Sequence, residues 1–157
     1  MQSSTGDFQA ASTSYVASEG SGQWTDLDHP DFYYEPGFKA HCEDRLAELA
    51  KLKPNWDRDN APAIRADILF ATRHFIAALP EFVATLPMVV PLTSGNVQLE
   101  WHHGRRVLEL EFESPETIHY LKWDPDNEIE EEAVVALSHH EQVVDLIRWF
   151  MKEFFND

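Results

Sequence analysis

The chain has 157 residues, enough for one ordinary domain and a tail but not for two domains. Its 43% hydrophobic and 12% aromatic content suffices for a packed core, which excludes a wholly disordered chain. Twenty-eight Asp and Glu against twelve Lys and Arg give −16, a balance that repels phosphate and so argues against direct binding of nucleic acid or an anionic membrane.

Residues 1–23 are rich in Ser, Thr, Gly and Ala without apolar periodicity, and they predict a flexible tail ahead of a single domain over 24–157. This start lacks the basic and apolar regions of a secretory signal, and no apolar run reaches the ~18 residues of a membrane span, so a cytoplasmic protein is expected. Trp24, Leu27, Phe32, Tyr33, Tyr34 and Phe38 crowd the next stretch, which either packs on the domain or recognises a partner. The cost of exposing so many aromatics favours packing.

Phe38, Cys42, Leu46 and Leu49 recur at helical spacing and predict a first helix over 38–52, ended by Pro54. A loop follows, and Asp59 or Asn60 is the expected N-cap of a second helix, with Pro62 in its first turn. Ile64, Ile68, Phe75 and Leu79 are its buried stripe. Beyond Pro87 the period falls to two. "MVVPL" reads as an edge strand because of Pro91. "VQLEWH", "RRVLELEF", "IHYLKW" and "EIEEEAVVAL" follow, joined at His103-Gly104, "SPET" and "DPDN". Ser138 and Glu141 have capping-box spacing ahead of a last helix whose apolar face is Val143, Ile147, Phe150 and Phe154. The fold class is therefore α+β: a four- to five-stranded antiparallel meander with two N-terminal helices and one C-terminal helix packed on one face.

"PNWDRDNAPAI" and "GNVQLEWHHGRRVLELEF" together resemble a group of small bacterial and phage proteins of unknown function that share an Asn-Trp-Asp loop and a Val-Gln-Leu-Glu-Trp-His hairpin. The resemblance covers residues 54–123, with Asn60 standing where a Gly is usual. It implies a shared fold and an accessory, mobile-element setting in which small inhibitors and antitoxins are common, and no catalytic residue comes with it.

Chemistry-bearing motifs are few. Asn55, Trp56 and Asp57 read as a structural loop in which Trp56 plugs the space between helices while the Asx side chains bind loop amides. Glu100, His102 and His119 raise a metal site, but no ligand spacing such as His-Glu-x-x-His is present, so neither a metal nor another cofactor is expected. Cys42, the single cysteine, falls on the apolar face of the first helix, and no nucleophile or phosphate-loop motif appears. An enzyme is not expected, and no catalytic residue is assigned.

The acids are the anomaly. Between Glu109 and Glu132 ten acids face one base, Lys122, for −9 of the chain's −16. Alternation sets Glu109, Glu111 and Glu113 on one strand face beside Glu100, and Glu128, Glu130 and Glu132 on one face of the last strand. Opposed like charges destabilise a sheet, so the expected role is a docking surface for a basic protein. That partner is either a toxin or similar protein, neutralised or chaperoned as by an antitoxin or immunity protein, or a nuclease or nucleic-acid-binding complex blocked by nucleic-acid mimicry. The alternatives are a small-ligand pocket lined by Trp101, Tyr120 and Trp123, or a metal-dependent enzyme using the sheet's His and Glu residues.

Overall fold

A computed structural model describes residues 37–80 and 85–155. The tail over 1–23 and the aromatic segment up to Pro36 lie outside the described residues. Within them the fold is α+β: helices α1 (Phe38–Leu49) and α2 (Ala66–Ala77), then strands β1 (Met88–Pro91), β2 (Val97–His103), β3 (Arg106–Ser114), β4 (Thr117–Asp124) and β5 (Ile129–Ala136), then α3 (His140–Met151). All neighbouring strands are antiparallel and their order is that of the chain, so the sheet is a five-stranded meander. Among the described residues no helix is long and apolar enough to cross a membrane.

Period-two alternation decides what each face of the sheet does. Val97, Leu99 and Trp101 on β2, Leu108, Leu110 and Phe112 on β3, and Ile118 and Tyr120 on β4 share one face, and all are buried. Helix α2 packs there through Phe75, whose ring meets Phe112 edge-on at 5.5 Å. Helix α3 adds Val143, Ile147 and Phe150 to the same core. Complete burial of Trp101, Phe112 and Phe150 supplies about 2–3 kcal/mol each. Helix α1 lies against α2, where Glu43 pairs with Arg73 at 2.6 Å.

Several boundaries depart from the sequence reading, each for a local reason. Helix α2 begins at Ala66 with Arg65 as its uncapped N-cap, not at Asp59 or Asn60. Asn60 is committed to the preceding loop in a left-handed conformation (φ 71°), and Arg65 N–H bonds Gly95 O in the β1–β2 turn, which holds the chain extended ahead of the helix. Helix α3 starts after His139 and has no side-chain cap; His139 N–H still donates to Ala136 O, so Ser138 sits in a turn and the expected capping box does not form. Phe154 falls in the 3₁₀ turn beyond α3 and is 39% exposed instead of completing its apolar face. The β2–β3 connection is Gly104-Arg105, since His103 pairs with Arg106, and Gly104 carries the positive φ (61°) of that two-residue turn.

The Asn-Trp-Asp loop is knitted by its own side chains. Asp57 Oδ1 accepts from the amides of Asp59 and Ala61 at 2.9 Å each, and Asn55 Oδ1 accepts from Asn60 N–H at 2.8 Å. Trp56 Nε1 donates to Pro62 O at 2.8 Å while its ring packs on the core. The two backbone amides hold the Asp57 carboxyl below its ordinary range.

Candidate functional site: the acidic outer face

The sheet face turned away from the core is built by register. Glu100 stands directly opposite Glu109, and the row continues through Leu121 to Glu132. The next row is Gln98, Glu111, His119 and Val134, and the row beyond Glu109 on the other side is His102, Val107, Trp123 and Glu130. Glu113 follows Glu111 on the same side of β3, near the irregularity between Phe112 and Ser114. The structure thus brings six of the seven candidate carboxylates, Glu100, Glu109, Glu111, Glu113, Glu130 and Glu132, onto one face.

Glu128 does not join them. It precedes β5, in a left-handed conformation (φ 57°) that closes the 3₁₀ turn Pro125–Asn127, so strand alternation never reaches it. Lys122, the one base in the acid-rich stretch, does not join them either. It lies on the opposite face, paired with Glu131 at 3.0 Å, with its ammonium 5.0 Å from the centroid of the Trp149 ring. Arg106, the other basic residue within a strand, shares Lys122's side and is buried against Asp124. The strands therefore place no Lys or Arg on the acidic face, and Arg65 at its rim spends its guanidinium on Asp67, Asn96 Oδ1 and the Glu113 backbone carbonyl.

Neutral and histidine groups tie the carboxylates together instead. Gln98 Nε2 donates to Glu100 Oε1 at 3.2 Å, and Asn96 Nδ2 donates to Glu111 Oε2 at 2.8 Å. His102 lies 3.4 Å from Glu100, and His119 lies 2.9 Å from Glu132. Glu109 sits at the centre without such a bond, and its pKa is raised by partial burial first and then by Glu100, with smaller contributions from Glu111 and Glu132; His102 opposes them.

A raised carboxylate pKa means that the folded protein takes up this proton before the unfolded chain does. Ionising Glu109 therefore costs stability, a cost absent at acid pH and complete once pH exceeds its folded-state pKa. Glu109→Gln is expected to stabilise the fold by about 0.5 kcal/mol near pH 7, the scale of one opposed like-charge pair. Thermal unfolding of the two proteins should converge at about pH 3.5, where the ordinary Glu is mostly protonated.

The structure also assembles a group that spacing did not suggest: Glu111, Glu113 and His119 offer ligand atoms within 4.8 Å of one another. Its legible signal was Glu at i and i+2 on β3, but the register that sets His119 opposite Glu111 was not readable from spacing. The ligand pocket weighed from the sequence does not form, because Trp101 and Tyr120 belong to the buried face and Trp123 to the outer one. Cys42 is fully buried, and burial pushes its thiol up to about 12, which leaves it without thiolate chemistry. No protein-family model, curated protein or solved structure matches the chain.

Proposed function

We propose that this is a small acidic interaction protein whose outer sheet face docks a basic protein partner and neutralises or chaperones it. The observation that carries the reading is the Glu100–Glu109 opposition at the centre of a face whose strands supply acids and no Lys or Arg. A bare solubility surface needs no such opposition, since mixing charge signs along the strands would keep the sheet soluble at lower cost to folding. A basic surface laid over these rows relieves the repulsion and is steered toward them by the summed field. Of the two kinds of partner, a toxin-like protein held by its antitoxin fits more readily than a nuclease blocked by phosphate mimicry, because the rows are interrupted by Leu121, Val107 and Trp123 and do not repeat like a phosphate backbone.

Co-purification from the native host at low ionic strength tests the reading. A stoichiometric basic protein should accompany the chain and be released by salt on the scale of Debye screening, about 10 Å at 0.1 M falling to about 3 Å at 1 M. Recovery of the free chain alone at low salt would overturn it. The Glu111, Glu113 and His119 group supports a second reading, a divalent-cation site, and the same preparation separates the two: a metal protein retains stoichiometric metal through gel filtration, whereas a docking face retains protein.

A further inference from the structure

The two edges of the sheet are finished differently. On β1, Leu92 N–H donates to Asn96 O across the ladder to β2, so the even-numbered residues bond to β2 and Val89 and Pro91 direct their backbone groups outward. Both outward positions are blocked. Val89 O accepts a hydrogen bond from Arg45 Nη2 at 3.3 Å, and Pro91 has no N–H. This edge is closed to pairing by a side chain of α1 and by a proline.

The β5 edge is open. Leu137 N–H donates to Glu116 O in the β4–β5 register, so odd-numbered residues bond to β4 and Glu130, Glu132 and Val134 point their N–H and C=O groups away from the sheet. Among the described residues no strand pairs with that side. Every side chain from Glu130 to Val134 is exposed, on both faces of the strand, and Val134 is 56% exposed. The strand has no Pro, Gly, Lys or Arg to deter a neighbour. Its only guard is acidic. Two copies paired edge to edge would bring together Glu130, Glu131 and Glu132 from each chain, so a second copy is disfavoured while a basic strand is attracted.

We propose that β5 accepts an extended segment of the basic partner as a sixth, antiparallel strand. This deepens the docking reading and rests on it. The register defines the segment: read from its N-terminus, an apolar side chain opposite Val134, then, two and four residues later, Lys or Arg opposite Glu132 and Glu130. Main-chain bonds hold the strand, and the alternate side chains select it.

The probe is a synthetic peptide with the core Val-Thr-Lys-Thr-Lys, compared with a scrambled peptide of the same composition, each added to the full chain at low salt. The expected result is preferred binding of the alternating peptide, with amide exchange slowed at Glu130, Glu132 and Val134. Val134→Pro removes one outward N–H without touching the ladder to β4, and it should weaken binding about tenfold, the worth of roughly one main-chain hydrogen bond. Val134→Lys, which keeps the backbone and repels a basic strand, should weaken it comparably and guards against misfolding of the proline variant. Equal binding of both peptides to wild type and both variants, with perturbations confined to Glu100, Glu109 and Glu111, would overturn strand addition and leave the docking face standing. Failure of both peptides to bind at low salt would overturn both.

Discussion

Asp124→Ala is expected to destabilise the domain by about 3–5 kcal/mol, the cost of breaking a buried ion pair by removing one member. Asp124 and Arg106 are 3% and 8% exposed, and Arg106 Nη1 donates to Asp124 Oδ2 at 3.1 Å. Arg106 also donates from Nη2 to Trp149 O at 2.7 Å, and its guanidinium stacks 4.1 Å from the Trp149 ring centroid, so one side chain joins β3, the end of β4 and α3. Asn127 Nδ2 bonds the same carboxylate oxygen of Asp124 at 2.9 Å and fixes the turn into β5. Loss of the carboxylate should therefore loosen α3 and the β4–β5 turn together. Urea denaturation measures the cost. The double change Arg106→Met with Asp124→Leu should recover most of it, because apolar side chains in place of both charges also remove the cost of taking the pair out of water. A single variant within about 0.5 kcal/mol of wild type, the range of an ordinary surface change, would show that this pair does not pin the helix.

The second large effect concerns association. Replacing Glu100, Glu109, Glu111 and Glu132 together with Gln removes four of the outer face's charges while keeping side-chain size. The fold should be retained and slightly stabilised, since the Glu100–Glu109 repulsion disappears. The association rate with the co-purified partner should fall about ten- to a hundredfold at low salt and lose most of its salt dependence, because steering by the summed field is gone. Stopped-flow binding across ionic strength reads both effects. An unchanged rate in a variant that is correctly folded would remove the face from the mechanism.

Much of this architecture was legible because strand alternation is a short-range property. Val97, Leu99 and Trp101, and likewise Leu108, Leu110 and Phe112, declare a buried face without knowledge of their neighbours. The opposition of Glu100 and Glu109 was not legible, since it depends on register, and register depends on the turn being Gly104-Arg105 instead of His103-Gly104. A one-residue difference in that turn changes every cross-strand partner. Glu128 was misplaced because a run of alternating acids continues through a left-handed residue that ends the alternation. The Arg106–Asp124 pair was missed although its signal was present: Arg106 and Lys122 both have the parity of the apolar face, where a cation requires a partner.

The start of α2 was misread for a related reason. Asp59 and Asn60 have the chemistry of helix caps, but their backbone amides are spent inside the loop, held by Asp57 Oδ1 and Asn55 Oδ1, and Asn60 is left-handed there. Propensity marks such residues as turn formers and cannot say which turn they will close.

Carboxylate footprinting of the isolated complex tests the central claim most directly. Glycine amide coupled by a carbodiimide modifies accessible carboxylates, and mass spectrometry locates each one in the free chain and in the complex. Glu109, Glu111, Glu130 and Glu132 should become shielded when the partner is bound, while Glu43, Asp44, Glu48 and Asp145 on the helices react as before. Shielding of the helix carboxylates, with the outer sheet face left reactive, would contradict the account.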